Sequence, residues 1–477
     1  MTVTFGTDGW RAVISDTFTF DNLRLVSQAV ADYLWANAPQ NRTPSVVIGF
    51  DTRFLSDRYA AETARVMAAN GIIAWLTRAD CPTPAISYNV VHKNASLGIM
   101  ITASHNPPRY NGLKLKGPYG GAATRAITTA VAERLAQLQT SGRFPQLTPY
   151  QAALDQDLIR RFDPAWPYYE HLTTRLIDLD IISGGELRVV ADGMYGSGRG
   201  TFSEVLARTR TRVFNIRSDM NPGFGGIHPE PIARYLEALV AAVTNNRAHV
   251  GLATDGDADR IGAVDARGNF IDPHHIMALS LRYLVEHRGW RGAVVKTVSS
   301  TLMLNRLAKK YGLPLHETPV GFEAIAQLMM TDDVLIGGEE SGGISIKGHI
   351  PEGDGVLMGL LLAELIAQAR LPLHQLVADL QRMVGPTCYR RADIKLERPV
   401  PKADMVSRLA NNAPATINNE TVHTIKTHDG IKFMMADDSW LLIRPSGTEP
   451  VLRVYSEAED ETAVANILSA GRAMVGM

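Results

Sequence analysis

The chain has 477 residues, a length that favours several domains over a single core. Lys and Arg number 48 against 49 Asp and Glu, so the net charge is -1 and no nucleic-acid partner is expected. With only Cys81 and Cys388, a disulfide framework and a thiolate metal cage are both disfavoured. No stretch is apolar for long enough to span a bilayer, and the first residues do not resemble a secretory signal. We therefore expect no membrane association and a cytoplasmic location.

Short apolar runs alternate with longer helical patterns through most of the chain, which is typical of α/β units. These runs predict buried strands over Val46–Phe50, Gly98–Ile101, Leu187–Ala191, Val250–Ala253, Ala293–Val295 and Val334–Ile336. Further strands are predicted near the end of the chain, over Ile431–Met434, Trp440–Ile443 and Val451–Tyr455. Because ligands bind beyond the carboxyl ends of strands in open α/β sheets, the residues that follow these runs are the first candidates for chemistry.

Three predicted boundary segments divide the chain into four predicted domains. They are the Pro/Gly/Ser-containing stretch 140–150, the segment 265–269, which predicts a hairpin turn, and the Pro-punctuated stretch 385–402. The predicted domains are residues 1–148, 149–265, 266–385 and 386–477. The first three show strand and helix alternation of similar length, although no repeat is visible residue by residue, and the last is predicted to be a separate α+β module.

The first candidate site is the loop Thr102–Pro107, directly after a predicted strand. A serine on a strand-end loop beside a histidine suits nucleophilic chemistry, and we expect the Ser104 side chain to be exposed there. An ordinary turn is the alternative, since Ser, Asn and Pro all favour turns. No G-x-S-x-G motif surrounds the serine, which disfavours a hydrolase triad. Lys114, further along the chain, is a candidate proton-transfer group or charge clamp for the same site.

The second candidate site is the acidic loop that follows the strand Val250–Ala253. Asp255, Asp257 and Asp259 alternate along it, and such carboxylates can converge on a hard cation such as Mg2+ or Ca2+. The loop is not an EF-hand, because its twelfth position is Ala266 instead of Glu. A solvated acidic turn is the alternative, but carboxylates this close together are costly without a counter-charge. A cation, alone or together with the adjacent Arg260, would supply that charge.

Two further loops offer groups that bind sugars or phosphate. The glycine-rich loop 337–343 carries Glu339 and Ser341, whose acceptor and donor groups suit sugar hydroxyls, although many surface turns have this composition. The loop 444–450 combines an arginine, two hydroxyls and glycine-freed backbone N–H groups, as a phosphate cradle does. A hairpin turn with an incidental arginine is the alternative for that loop. A dinucleotide-binding interpretation of 196–200 is weak, because the spacing departs from G-x-G-x-x-G.

Taken together, these loops carry a resemblance to a known family. FGTDGWR, TASHNP, DGDADR, GGEESGG and RPSGTEP occur in this order and resemble the α-D-phosphohexomutase superfamily, of phosphoglucomutase and phosphomannomutase type. Four further segments of this chain resemble secondary signatures of the same family: DTR at 51–53, CPTP at 81–84, ADGMYGSG at 191–198 and FGGIHPEPI at 224–232. The resemblance implies three related mixed-sheet α/β domains plus a smaller C-terminal α+β domain around one central cleft.

The resemblance also implies an activity and a set of site residues. Such enzymes move a phosphoryl group between the 1- and 6-positions of a hexose through a phosphoserine and a bisphosphorylated sugar. The implied catalytic residues are Ser104, His105, Lys114 and Arg11. The implied ligands of Mg2+ are Ser104, Asp255, Asp257 and Asp259. The implied substrate-binding residues are Arg260, Gly321, Glu339 and Ser341, and the implied phosphate-binding residues are Arg444, Ser446, Gly447 and Thr448. Glucose 1,6-bisphosphate is the implied activator, a phosphorylated hexose the implied partner, and a monomer or homodimer the implied assembly.

Departures from the family pattern bear on the substrate. Enzymes of dual mannose and glucose type resemble G-E-M-S-G-H in the sugar loop, whereas Glu340 and Gly343 stand there in this chain and favour glucose phosphate. Gly353 and Glu323 stand where the family usually has a basic residue. Lys347 or His349 is a candidate to replace the missing charge.

Three alternative functions remain open. A phosphomannomutase of the same family differs only in its sugar. A metal-dependent sugar phosphatase would leave the second phosphate loop unexplained. A sugar-phosphate-binding paralogue with weak turnover would fit the missing basic residues, although the intact serine and aspartates argue against it.

Overall fold

The computed structural model describes residue 3 and residues 9–396, 401–445 and 451–475. The first domain is built on a mixed six-stranded sheet, in the order β1-β5-β4-β2-β3-β6. Its strands are β1 Trp10–Val13, β2 Ser45–Phe50, β3 Ile73–Thr77, β4 Leu97–Ile101, β5 Tyr110–Lys116 and β6 Ile159–Phe162. Its helices are α1 Phe20–Ala36, α2 Ser56–Ala69, α3 Thr83–His92, α4 Arg125–Ser141 and α5 Tyr150–Asp155. Because β6 pairs with β3, the first sheet extends beyond the boundary that the sequence predicts at residue 148.

The second domain contains a five-stranded sheet in the order β11-β10-β9-β7-β8. Its strands are β7 Arg188–Asp192, β8 Arg212–Ile216, β9 Val250–Thr254, β10 Ile261–Asp265 and β11 Phe270–Ile271, and its helices are α6 Ala165–His171, α7 Leu179–Gly185, α8 Thr201–Leu206 and α9 Glu237–Asn245. The predicted hairpin turn at 265–269 is confirmed, since it joins the antiparallel strands β10 and β11. This sheet therefore continues past residue 265.

The third domain contains a four-stranded sheet in the order β13-β12-β14-β15. Its strands are β12 Ala293–Thr297, β13 Leu315–Thr318, β14 Val334–Gly338 and β15 Ile344–Ile346, and its helices are α10 Pro273–Glu286, α11 Leu302–Tyr311, α12 Phe322–Thr331, α13 Gly355–Ala369 and α14 Leu373–Val384.

The fourth domain differs from the others in having an antiparallel sheet, in the order β16-β21-β20-β19-β18-β17. Its strands are β16 Cys388–Lys395, β17 Thr416–Ile417, β18 Glu420–Lys426, β19 Ile431–Met435, β20 Trp440–Pro445 and β21 Val451–Ala458, and its helices are α15 Lys402–Asn411 and α16 Glu461–Met474. The predicted fold class, three mixed α/β domains and a smaller C-terminal domain, is confirmed.

The first three domains share one strand arrangement. In each, one strand lies between two parallel neighbours: β2 between β3 and β4, β7 between β8 and β9, and β12 between β13 and β14. The last strand of each trio then pairs antiparallel with the strand that follows it in the chain. The three candidate loops after Ile101, Thr254 and Gly338 therefore occupy equivalent places in the three sheets.

A continuous apolar core joins the second and third domains, and α13 lies at its centre. The buried residues of this helix run without a break from Gly355 to Ala367, including Glu364. That carboxylate is fully paired: it accepts hydrogen bonds from the Tyr283 hydroxyl at 2.6 Å and the Asp178 N–H at 2.9 Å, and it contacts the Arg288 guanidinium at 2.5 Å. Among the described residues no single helix is long and apolar enough to cross a membrane; α13 and α14 pass that test only jointly, across a bend of 86°.

Candidate active site

The serine loop lies between β4 and β5, in the predicted place. Ser104 adopts a left-handed backbone conformation, with φ of 52°, and its N–H donates to Thr102 Oγ1 at 2.8 Å. Its hydroxyl donates to Asp255 Oδ2 at 2.8 Å, so the first and second domains meet at this atom pair. The expectation that this side chain is exposed is wrong: it is 1% exposed. Burial follows from the acidic loop, which covers the serine from the second domain.

A buried arginine, Arg53, holds the serine loop through its backbone carbonyls. The Arg53 guanidinium donates to four backbone carbonyls of the loop and of the strand that follows it, at 2.5 Å, 2.7 Å, 2.9 Å and 2.9 Å, and these belong to Ser104, Asn106, Pro107 and Tyr110. Its Nε also pairs with Asp51 Oδ2 at 3.1 Å, and Asp51 accepts from the Thr102 hydroxyl at 2.6 Å. Burial raises the pKa of Asp51 to about 6, although Arg53 opposes the shift. One guanidinium thus joins four carbonyls of the loop and of β5, which holds the loop in one conformation.

The three aspartates of the second domain converge as predicted. One carboxylate oxygen from each of Asp255, Asp257 and Asp259 lies within 4.8 Å of the others. Burial, followed by repulsion from the other two, raises the pKa of Asp255 well above its usual range. The Oδ1 atoms of Asp257 and Asp259 are buried and accept no hydrogen bond from the described residues. An all-oxygen cluster with orphaned acceptors fits a hard divalent cation such as Mg2+.

Lys114 reaches this acidic cluster from β5 of the first domain. Its Nζ lies 2.9 Å from Asp257 Oδ2 and 2.7 Å from Asp259 Oδ2. Burial favours the neutral form of Asp257, but Lys114 and the Thr83 hydroxyl, 2.6 Å away, together hold the pKa of this carboxyl well below its usual range. The two loops are packed closely: a Cβ at Gly256 would lie 2.5 Å from the Ser104 carbonyl oxygen, so only glycine fits there.

The remaining predicted catalytic residues lie around the serine. His105 Nδ1 is 3.4 Å from Ser104 Oγ. Burial and nearby cations, of which Arg260 contributes most, lower the pKa of His105 well below its usual value, so its imidazole is neutral near neutral pH. Arg11 lies on β1 and donates to Asn106 Oδ1 at 3.0 Å. The Arg260 N–H donates to Asp255 Oδ1 at 3.2 Å, and its guanidinium lies 3.9 Å from Asp259 Oδ1.

The predicted sugar loop follows β14 and touches the acidic loop. Glu339 Oε1 accepts from the Gly321 N–H at 2.8 Å, which brings two of the predicted substrate residues together. Burial raises the pKa of Glu339 to about 7, although Arg260 opposes the shift. The Ile261 N–H donates to the Gly342 carbonyl at 3.2 Å and so connects the loops of the second and third domains. Ser341 lies in the same loop, between Glu339 and Gly342.

The fourth domain contributes Arg444, at the end of β20. Its Nε donates to Asp429 Oδ2 at 2.9 Å, and Asp429 accepts from the Val320 N–H at 2.8 Å. Because residue 320 adjoins Gly321, this carboxylate connects the arginine with the sugar side of the site. The other predicted phosphate ligands, Ser446, Gly447 and Thr448, lie outside the described residues.

The positions that depart from the family pattern have other contacts. Glu323 Oε1 accepts from the Arg125 N–H, the first residue of α4, at 2.5 Å, and so caps a helix of the first domain. A Cβ at Gly353 would lie 2.9 Å from Gly343 Cα and 3.0 Å from the Asp259 carbonyl oxygen, so this position has no room for a longer residue without backbone movement.

The two candidates for replacing the missing charge are held by other groups. Lys347 pairs with Asp333 at 2.6 Å, and His349 Nε2 lies 2.9 Å from Asp354 Oδ2.

Sequence reasoning assigned no role to two residues that hold the site together. Arg53, within DTR, braces the serine loop, and Thr83, within CPTP, donates both its hydroxyl and its N–H to Asp257, at 2.6 Å and 2.8 Å. Both lie in segments that resemble secondary signatures of the family. The sequence signal that could have found them is a polar residue shortly after a buried strand, as for Arg53, or at the start of a helix, as for Thr83.

Comparisons with known proteins identify the relatives of this chain. Profiles described as phosphoglucomutase/phosphomannomutase match it in four parts: alpha/beta/alpha domain I at residues 2–141, domain II at 166–268, domain III at 272–383 and the C-terminal domain at 395–472. A phosphoglucomutase/phosphomannomutase of Thermococcus kodakarensis is 29% identical, over 98% of this chain and 97% of its own. A phosphoglucosamine mutase of Acidothermus cellulolyticus is 33% identical, over 96% and 92%. The crystal structure of a protein assigned as a phosphomannomutase from Thermus thermophilus is 31% identical, with a TM-score of 0.84 and 100% of both chains covered.

Proposed function

Because this chain belongs to the α-D-phosphohexomutase superfamily, of phosphoglucomutase and phosphomannomutase type, we propose that it interconverts α-D-glucose 1-phosphate and glucose 6-phosphate. The relatives are phosphohexomutases, which are intramolecular phosphotransferases. The observation that carries the proposal is the contact of Ser104 Oγ with Asp255 Oδ2 at 2.8 Å, at the point where the acidic cluster meets the serine loop. A nucleophile beside a cation site is the arrangement that phosphoryl transfer requires.

The reaction proceeds through a phosphoserine and a bisphosphorylated sugar. Phosphorylated Ser104 donates its phosphoryl group to the free hydroxyl of the sugar phosphate: the bond from phosphorus to Oγ breaks, and a bond from phosphorus to the sugar oxygen forms. The proton of the sugar hydroxyl passes to Oγ, and the neutral His105, with Nδ1 3.4 Å away, can relay it. Glucose 1,6-bisphosphate then turns, and its other phosphoryl group returns to the serine by the reverse step.

Charge at the serine determines what the acidic loop does. A phosphate on Ser104 would add roughly -1.5 to -2 charges beside three carboxylates. Asp255, Asp257 and Asp259, with the phosphoserine, would hold Mg2+, which when bound supplies the positive charge that offsets the phosphate and the transferring oxygens. Lys114 adds a further positive charge on the side of Asp257 and Asp259.

Two loops would hold the sugar while it reacts in either orientation. Glu339, already bonded to the Gly321 N–H, and Ser341 offer groups for sugar hydroxyls. Arg444 lies at the end of β20, where a guanidinium can bind the phosphate that is not reacting, whichever carbon carries it. The choice of glucose is supported by Glu340 and Gly343 in the sugar loop.

Turnover assays test the proposal. Glucose 1-phosphate, mannose 1-phosphate and glucosamine 1-phosphate would each be supplied with Mg2+ and a trace of the matching 1,6-bisphosphate, and isomerised sugar and free phosphate would both be measured. Ser104→Ala should lower turnover by about a thousandfold or more. Ser27→Ala, which removes another buried hydroxyl of the first domain, is the matched control and should leave turnover unchanged.

Each alternative has its own result in this assay. Release of free phosphate in place of isomerised sugar would indicate a phosphatase. Binding without turnover would indicate a sugar-phosphate-binding protein. A higher kcat/KM for the mannose or glucosamine substrate would overturn the choice of glucose.

A further inference from the structure

A cavity lies away from the serine, acidic, sugar and phosphate loops. It has a volume of about 430 Å3 and lies between the helical turn after α6, the segment after α10 and the turn after β15. None of its lining residues belongs to those four loops. Its walls combine an indole, Trp290, with three cations, Arg175, Arg291 and Lys347. No carboxylate of the described residues lines it.

The positive charge of this cavity is only partly balanced. Lys347 pairs with Asp333 at 2.6 Å. The Arg291 guanidinium donates to the Trp290 carbonyl at 3.0 Å, which orients it without neutralising it. Arg175 is exposed, and no ion pair of its guanidinium is found among the described residues. Since Arg175 and Arg291 line one concave space and carry like charges, an anion bound there would be stabilised.

The backbone that carries Arg175 is itself unusual. Residues Leu172–Leu176 form a π-helical turn, directly after α6. Such turns are rare and occur frequently at functional sites. Here the turn places Arg175 and the adjacent Leu176 in the cavity wall.

A chain of hydrogen bonds runs from the cavity to the acidic loop. His171, in the cavity wall, has its Nε2 3.1 Å from His349 Nδ1, and His349 Nε2 lies 2.9 Å from Asp354 Oδ2. Asp354 caps α13 by accepting from the Leu357 N–H at 2.8 Å. The first residue of that helix, Gly355, donates its N–H to the Ala258 carbonyl at 3.0 Å, between two of the metal-binding aspartates.

We propose that this cavity binds a small phosphate ester, with its phosphate between Arg175 and Arg291 and its organic part against Trp290, and that occupancy alters cation binding at the acidic loop through His171, His349 and Asp354. A dianionic phosphate matches the two guanidinium groups, and a flat or apolar organic group matches the indole. The aspartates and the cavity are joined by hydrogen bonds across a packed core, so a change at one end can bias the other.

Direct binding tests the site with AMP and inorganic phosphate as probes. The full-length protein is titrated by calorimetry. Arg175→Gln combined with Arg291→Gln should raise the Kd of both probes by about tenfold or more. Trp290→Ala should weaken AMP and leave inorganic phosphate unchanged. Arg267→Gln, another exposed arginine of the second domain, is the matched control and should change neither. The proposed site would be wrong if the double variant bound both probes as tightly as the parent, or if the parent bound neither probe.

The second half of the proposal is tested by titrating Mg2+ with and without saturating AMP. In the parent protein the Kd for Mg2+ should change by about fivefold or more. In His171→Phe, which preserves a ring against Tyr88 but removes the hydrogen bond to His349, the change should disappear. An unchanged Mg2+ affinity in the parent would refute the coupling. Neither measurement depends on turnover, so failure here is distinct from failure of the proposed mutase activity.

Discussion

Substituting Arg53 tests whether the position of the serine loop limits catalysis. The buried guanidinium makes four hydrogen bonds to carbonyls of the loop and of the first residue of β5, and one ion pair with Asp51. A lysine has three donors, so Arg53→Lys must lose at least two of these five contacts, each of which contributes about 1.5–3 kcal/mol when the donor is charged. Losing two such contacts corresponds to local destabilisation of about 3–6 kcal/mol.

The consequence for turnover follows from the position of the nucleophile. Arg53 does not contact the Ser104 hydroxyl, but it bonds the Ser104 carbonyl at 2.5 Å. A displacement of about 1 Å at a reacting atom can lower the rate by about a hundredfold. Arg53→Lys should therefore lower kcat about a hundredfold with a smaller change in KM. Hydrogen exchange at residues 102–110 should accelerate in the same variant, because the loop opens more readily.

The control is Arg65→Lys, on α2 of the same domain. Arg65 also joins a backbone carbonyl, that of Thr148 at 2.9 Å, and a carboxylate, Glu62 at 2.7 Å, but it contacts no part of the serine loop in the described residues. Its substitution should leave kcat and loop exchange unchanged. Parental kcat and parental exchange in Arg53→Lys would refute the reasoning that this guanidinium sets the loop.

Three further outcomes are expected. Chelation should abolish turnover and added Mg2+ should restore it. Asp257→Asn should raise the Kd for Mg2+ and lower kcat together. Full turnover in excess chelator would contradict the metal role. Burial raises the pKa of Glu339 to about 7, so its carboxylate form, which accepts hydrogen bonds from sugar hydroxyls, predominates only above pH 7. In the parent protein kcat/KM should therefore rise as the pH increases through about 7, and this rise should be smaller in Glu339→Gln. The Tyr389 hydroxyl donates to Glu340 Oε2 at 2.5 Å and joins the fourth domain to the sugar loop. Tyr389→Phe should therefore raise KM several-fold by loosening this contact. A parental KM would show that the contact does not contribute to substrate binding.

Much of the fold could be predicted because each central strand is buried on both faces. The predicted strands coincide with β2, β4, β7, β9, β12 and β14 to within two residues at either end. Continuous apolar runs bounded by polar loops identify such strands without any tertiary information. Edge strands lack this signal: β6, Ile159–Phe162, contains two arginines and was not predicted, although it completes the first sheet.

The sequence predicts the candidate site residues, but not the contacts that hold them in place. Ser104 and the aspartates stand directly after buried strands, so local sequence points to them. Arg53 makes its contacts with carbonyls 51 to 57 positions away, and backbone carbonyls leave no trace in a sequence. The burial of Ser104 has the same origin, because the group that covers it, Asp255, lies 151 positions further along the chain.

The equivalent positions of the three loops explain why weak motifs form one site. In each α/β domain the loop joins a central strand to an antiparallel neighbour, so it is short and projects from the carboxyl edge of the sheet. The first domain places Ser104 there, the second three aspartates, and the third Glu339. What unites them is contact between domains: the Ser104 hydroxyl on Asp255, Lys114 between two aspartates, and the Ile261 N–H on the Gly342 carbonyl. Each loop alone resembles an ordinary turn, and its chemistry depends on the others being held within hydrogen-bond distance.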